Sequence, residues 1–411
     1  MTGSNRSAGE VFRAFLKLGV SSFGGPIAHI GYLHREFVLR RKWLDEAAYA
    51  DLVALCQFLP GPASSQVGFS IGLLRAGYRG GLAAWTGFTL PSAVLLLLFA
   101  YGASALTGAR ALALLHGLKL VAVAIVAQAV WGMARTLASG RTRASIAVVS
   151  ALIVLLNHST WAQLAAIASG AVLGRLVFSP ADADDNQPNV RIPVSKRAGA
   201  VAFVGFLTLL TIPPLLSPVV SWSGLELFNA FYRSGALVFG GGHVVLPLLR
   251  QAFVTPGWVT DDAFLAGYGA AQAVPGPLFT FAAYLGAVVQ PTPHGLPGAA
   301  LGLVGIFLPG ILVLIAALPF WESLRRRTSA RAMMTGVNAA VVGLLAAALY
   351  QPLWTTSVTG PVDFALILVG FVLLTVWRTP PLIVVATMVT AELCLEVLAS
   401  ATGNCCSLEP L

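Results

Sequence analysis

Apolar residues run along this chain in long stretches instead of alternating with polar ones. Stretches can be drawn at 10–33, 47–74, 80–106, 111–134, 144–157 and 160–178. A polar linker at 179–198 carries Asp182, Asp184, Asp185, Arg191, Lys196 and Arg197. Apolar stretches resume at 199–220, 224–249, 262–290, 297–321, 331–350, 362–377 and 380–399. A helix crosses the hydrocarbon core of a bilayer with about 20 apolar residues, so the pattern predicts an all-α integral membrane protein. Composition agrees. Only 10% of the 411 residues are charged and 57% are hydrophobic, whereas a soluble domain carries about a quarter charged residues. The 42 glycines and 24 prolines suit closely packed, locally broken spans.

Six stretches, one extra and six again suggest an internal duplication. VFRAFLKLGVSSFGG at 11–25 aligns with LFNAFYRSGALVFGG at 227–241. At an offset of 216, Phe12, Ala14, Phe15, Gly19, Phe23, Gly24 and Gly25 recur as Phe228, Ala230, Phe231, Gly235, Phe239, Gly240 and Gly241. Further on, Trp43 meets Trp258, the run Gln57 to Pro62 meets Gln272 to Pro277, Pro91 meets Pro309 and Gly117 meets Gly336. The expected organisation is a first repeat at 1–178, a linker and connecting helix at 179–223, a second repeat at 224–400 and a tail at 401–411. If each repeat crosses an even number of times, the unpartnered helix at 199–220 inverts the second against the first. Inverted repeats recur in secondary transporters.

Loop charge bears on the orientation. The basic clusters are Arg35/Arg40/Arg41/Lys42, Arg75/Arg79, Arg135/Arg141/Arg143, Arg191/Lys196/Arg197 and Arg325/Arg326/Arg327/Arg331. If every stretch crosses from an internal N-terminus, only the 35–42 cluster violates the positive-inside pattern. If the first two stretches of each half are re-entrant elements broken at their Gly or Pro motifs, every cluster falls inside. The second layout is preferred here. It puts the equivalent loop 251–260 (QAFVTPGWVT) outside, and that loop has no Lys or Arg. Basic residues confined to such loops also argue against nucleic acid as a partner, despite the net charge of +9.

Two duplicated motifs could carry function. Pro60-Gly61-Pro62 and Pro275-Gly276-Pro277 should each stop a helix, because proline lacks an N–H and clashes with the preceding turn. Broken backbone at membrane depth persists only when buried in protein or lining a wet cavity. A helix restarting after each break offers free N–H groups and a partial positive charge to an anion. Ser64, Ser65 and Thr280 add hydroxyls there, and Gln57 and Gln272 immediately precede the breaks. The plainer alternative is a packing kink. The second motif is Phe23-Gly24-Gly25-Pro26, matched by Phe239-Gly240-Gly241-Gly242. It permits tight turns, hinge motion and close backbone approach to a ligand, or simple small-residue packing.

Intramembrane charge is costly and therefore informative. Lys17 and Arg233 are repeat-equivalent, so each half carries one cation in its first apolar stretch. Together they would balance a dianion, with snorkelling to the interface as the alternative. Lys119 is the third candidate, and its repeat partner is Asn338. His29 and His243 lie just past the glycine pairs, do not align, and read best as packed neutral residues. Acidic residues in apolar stretches reduce to Asp51, Glu392 and Glu396 on this reading, which gives a cation pathway little support. The substrate should be an anion. No catalytic, dinucleotide-binding or ATP-binding signature occurs, so no enzyme activity, cofactor or metal is expected. Cys56, Cys394, Cys405 and Cys406 show no ligand spacing. An ion gradient or the membrane potential would supply the energy.

The segments FGGPIAHIGYLHREFVLRRKWL and QFLPGPASSQVGFSIG, with FGGGHVVLPLL and QAVPGPLFTFAAYLGA in the second half, resemble the chromate ion transporter family in its long, two-domain form. The resemblance implies export of chromate from the cytoplasm across a bacterial inner membrane, conferring chromate resistance. Sulfate is the structural analogue and an alternative substrate, with uptake as an alternative direction. A membrane-embedded enzyme is the remote alternative. A homodimer is one assembly open to such a chain.

Overall fold

The computed structural model describes residues 7–23, 25–105, 109–157, 162–178, 194–216, 223–239, 242–290, 293–321 and 327–405. Helices carry the described chain and no strand occurs among these residues. Helix α1 is Ala8–Ser21, and α2 is Gly25–His34, prolonged by a π turn at Arg35–Arg40. Next come α3 (Glu46–Phe58), α4 (Ala63–Ala105), α5 (Ala109–Leu137), α6 (Arg141–Leu156) and α7 (Ala162–Val177). Helix α8 (Lys196–Leu216) leads to α9 (Ser223–Ala236), α10 (Val245–Phe253), α11 (Asp261–Ala273) and α12 (Phe281–Val288). The last are α13 (Gly295–Ala317), α14 (Thr328–Ala348), α15 (Pro361–Thr375) and α16 (Pro381–Cys405). By length and composition, five of the described helices could cross a membrane, so the chain is a multi-pass membrane protein.

Local chemistry sets the boundaries. Ser7 caps α1 by accepting from the Glu10 N–H at 3.2 Å, and Asp45 caps α3 by accepting from the Ala48 N–H at 2.7 Å. Thr260 does the same for α11 through the Ala263 N–H at 3.2 Å. These caps satisfy N–H groups that no helical carbonyl reaches. Helix α4 is two helices in sequence. Ala76 (φ −143°) and Gly77 (φ +64°) leave the helical region, and the chain folds back there. A Cβ built on Gly72 would collide with the Gly80 carbonyl and lie 2.8 Å from the Ala84 Cβ. The arms at 63–75 and 78–105 therefore pack as a hairpin. Helices α3 and α11 have 13 residues each, about 20 Å of rise, well short of the ~30 Å hydrocarbon core.

Equivalent residues of the two halves make equivalent contacts. Phe15 stacks on Phe37 with ring centroids 4.7 Å apart, and Phe231 lies 4.4 Å from Phe253. Gly19 of α1 faces the Gly87 carbonyl and Pro91 of α4, while Gly235 of α9 faces the Ile306 carbonyl and Pro309 of α13. His34 pairs with Glu46 at 2.8 Å, and Arg250 pairs with Asp261 at 2.8 Å. The later helices exchange partners. Helix α5 packs on α15, α16 and α11, whereas α14 packs on α6 and α7.

Candidate anion-translocation site

Both Pro-Gly-Pro motifs break the helix as the proline chemistry requires. Helix α3 ends at Phe58 and α4 starts at Ala63; α11 ends at Ala273 and a 3-10 turn starts at Leu278. Gly61 (φ +116°) and Gly276 (φ +104°) sit in the left-handed region, where a side chain would be strained. Space is equally short. A Cβ on Gly61 would lie 2.9 Å from the Gly310 Cα, and one on Gly276 would lie 2.8 Å from the Ser92 Oγ.

Each break is fastened to the other half. The Gly61 N–H donates to the Val238 carbonyl at 2.8 Å, and the Gly276 N–H donates to the Ser22 carbonyl at 2.9 Å. Ser22 and Val238 are the residues just before Phe23-Gly24-Gly25 and Phe239-Gly240-Gly241. Pro26 and Gly242, repeat equivalents, touch each other: a Cβ on Gly242 would lie 2.8 Å from the Pro26 Cγ. Gly25 (φ +77°) faces the His243 ring. Both breaks and both glycine motifs thus meet at one crossing. Gly24, Gly240 and Gly241 lie outside the described residues.

Side chains at the crossing divide into two sets. The first holds the breaks open. The Gln66 amide donates to the Pro60 carbonyl at 2.8 Å and to the Gly310 carbonyl at 2.9 Å. The Thr280 hydroxyl donates to the Pro277 carbonyl at 2.6 Å, so it stabilises the second break and its proton is already engaged. The second set is buried and lacks a protein partner: Ser22 Oγ, His29 Nδ1, Ser65 Oγ, Gln66 Oε1, Thr89 Oγ1 and Gln272 Nε2. His29 is fixed by its other nitrogen, 3.2 Å from the Ser22 carbonyl, and by the edge of Phe88. His243 holds the Tyr268 hydroxyl at 2.7 Å. Buried polar groups are rarely left unpaired. Together with the first N–H groups of a helix start, such groups can solvate an oxyanion.

The other candidates are placed differently. Ser64 is buried in the first turn after the first break, while Gln57 is exposed and its equivalent Gln272 is buried. Lys17 is exposed and Arg233 half-buried, on the faces of α1 and α9 turned away from Gly19 and Gly235. Neither cation has an ion-pair partner among the described residues, and neither is brought onto the broken turns. Lys119 is already paired, its Nζ 2.8 Å from Asp262 Oδ1 at the start of α11.

The structure also gathers charge that the sequence reading overlooked. His116 Nε2 lies 3.1 Å from Asp363 Oδ1 and 3.7 Å from Glu392 Oε1. Asp363 opens α15 within the 362–377 stretch yet is missing from the acidic residues counted there. The three residues are far apart in sequence; the only early sign was that a carboxylate in an apolar stretch needs a partner.

The sequence profile of the chromate transporter family matches residues 9–175 and again 225–393. A chromate transport protein from Pseudomonas aeruginosa is 29% identical over 386 residues, covering 92% of this chain and 90% of that protein. A probable chromate transport protein from Synechococcus elongatus is 28% identical, covering 82% and 83%. One from Cupriavidus metallidurans is 26% identical, covering 81% and 80%. No solved structure matches. With a profile spanning most of both halves, this chain belongs to the chromate transporter family, a family of transport proteins and not of enzymes.

Proposed function

We propose that the chain exports chromate from the cytoplasm across the bacterial inner membrane, driven by the membrane potential or a proton gradient, and so confers chromate resistance. The carrying observation is the reciprocal fastening of each Pro-Gly-Pro turn to the glycine motif of the other half. Reciprocal contacts, with Pro26 against its equivalent Gly242, are the signature of a two-fold relation. The two halves form inverted repeats, and the short elements flanking each break are re-entrant, which returns the 35–42 cluster to the cytoplasmic side. The anion sits where the breaks converge. It is held by the helix N–H groups after Pro62 and Pro277 and by Ser64, Ser65 and Gln272. Lys17 and Arg233 offset its charge along the route.

Energetics favour outward movement. A dianion gains about 4.6 kcal/mol on leaving a cell held ~100 mV negative inside. At about 1.4 kcal/mol per decade, that sustains an outward gradient of roughly three decades. Sulfate shares the charge and the tetrahedral shape, so the site itself does not separate the two ions.

The test is flux of labelled chromate in vesicles at imposed potentials of both signs, competed by sulfate. Potential-dependent chromate export should appear and should be lost in Lys17→Ala, Arg233→Ala, Gly61→Ala and Gly276→Ala at unchanged membrane levels. Transport of sulfate alone, or normal chromate flux in both cation variants, would overturn the substrate or the site respectively.

A further inference from the structure

The cluster on α5, α15 and α16 has no role in holding an anion. His116, Asp363 and Glu392 each offer a ligand atom within 4.8 Å of the others. Asp363 is fixed by its second oxygen, which accepts from the Thr359 N–H and hydroxyl, both at 2.7 Å. Glu392 is not: its Oε2 is buried with no partner.

Charge makes this arrangement incomplete. Two carboxylates outnumber the one imidazole, so the cluster is net negative whichever form the imidazole takes, which is costly inside a membrane-spanning bundle. Among the described side chains, the facing groups do not cancel this charge. Lys119, next along α5, is held by Asp262 of α11, and Asp261 is held by Arg250. Tyr268 of α11 is bonded to His243. Glu396, one turn along α16, adds negative charge. Helix α14 offers only Arg331 in its first turn, and the π turn at Leu349–Trp354 only Tyr350.

We propose that His116, Asp363 and Glu392 bind one exchangeable proton whose uptake and release accompany anion passage, a proposal that rests on the transport reading above. The proton adds to the Glu392 carboxylate, turning the anion into the neutral acid. It leaves to water on the opposite side while His116 keeps its bond to Asp363. The link to the anion site runs through α11. A Cβ on Gly269 would collide with the Leu118 carbonyl of α5, Lys119 holds the start of α11, and α11 ends at the second break.

The first measurement needs no substrate. Infrared spectra of the purified full-length chain, taken from acid to alkaline pH, should show a buried carboxylic acid band that titrates and that Glu392→Gln removes. In vesicles at zero potential, a pH gradient should drive chromate export by the wild type. Glu392→Gln should lower that flux about tenfold, within the range typical of coupled sites, while potential-driven flux persists and Glu392→Asp recovers part of the loss. His116→Gln serves as the second variant if Glu392→Gln does not accumulate. A band untouched by Glu392→Gln, or pH-driven flux untouched by it, overturns the proposal. So does a stoichiometric divalent metal in the wild type that the variant lacks. A titrating band in a wild type that moves no chromate under either drive would uphold the proton site and sink the transport reading instead.

Discussion

The bundles α14–α6–α7 and α5–α15–α16 are built from equivalent helices and packed in opposite styles. In the first, small residues bring backbone onto backbone: Gly336 meets the Gly170 carbonyl and the Gly174 Cα, and Gly343 meets the Ala147 carbonyl. In the second, Gly117 stands opposite Val389 and Glu392, and Gly370 opposite Met388. Where the second bundle carries His116 beside Gly117, the first carries Thr335 beside the equivalent Gly336. Thr335 donates to the Arg331 carbonyl at 3.0 Å. The first bundle is tight around Gly336, where backbone meets backbone; its counterpart leaves room around Gly117 that polar side chains fill. A repeated fold need not repeat its chemistry, and the difference falls where side-chain size sets the helix spacing.

The largest expected effect tests that contrast directly. A Cβ at Gly336 would lie 2.6 Å from the Gly174 Cα and closer still to the Gly170 carbonyl. Only separation of the helices relieves this, so Gly336→Ala should cost about 3 kcal/mol or more. At Gly117 the nearest atoms are Val389 Cα at 3.1 Å and Cγ2 at 3.3 Å, a clash relieved by a shift of a few tenths of an ångström. Gly117→Ala should cost less than about 1 kcal/mol. Thermal melts of the two purified variants check this; equal losses would mean the bundles do not differ in tightness.

How far the sequence foretold this depends on the range of the interaction. Pro60-Gly61-Pro62 and Pro275-Gly276-Pro277 announce their breaks because proline acts on its own backbone. The equivalence of Phe15 with Phe231 and of Gly19 with Gly235 was legible as letters in order, and the paired contacts follow it. What was not legible is who meets whom across the bundle. Asp262 neutralises Lys119 from 143 residues away, and Asp363 meets His116 across 247. Lys119 read alone looks like an unpaired cation awaiting an anion. Thr280 is similar: its hydroxyl looked available until the Pro277 carbonyl was seen to accept it. The site predicted from Lys17 and Arg233 remains a proposal, since both stand off the broken turns.

Lys119 gives the next, smaller effect. Its side chain is 13% exposed, but that of Asp262 is 74% exposed, so the pair is worth no more than about 1 kcal/mol. Its equivalent Asn338 carries no charge, so it forms no such ion pair. If Lys119 steadies α11, Lys119→Met and Asp262→Asn should each slow chromate flux about threefold, and the double variant should be no slower than either. An anion ligand would behave otherwise. Lys119→Met would then raise the half-saturating chromate concentration and Asp262→Asn would leave it unchanged.

The smallest effect concerns the loops after α2 and α10. Glu36 accepts from Arg41 Nε at 2.6 Å and Arg40 Nη1 at 2.9 Å, and Trp43 lies beneath Arg41 and Arg75. Loop 251–260 has no Lys or Arg, and the equivalent of Glu36 is Ala252. Burial alone would raise the Glu36 pKa, but the hydrogen bonds and charges of Arg41 and Arg40 outweigh it and hold the carboxyl below its ordinary 4.5. A depressed carboxylate stabilises the folded chain fully above its unfolded pKa, and that contribution is lost as pH falls through the folded value. Below about pH 4.5 the wild-type Tm should therefore fall more steeply than that of Glu36→Gln, which should start lower at neutral pH. An acid slope that survives Glu36→Gln would mean that the Glu36 carboxylate does not carry it. The two loops would then differ in where their charge lies and not in how it holds them.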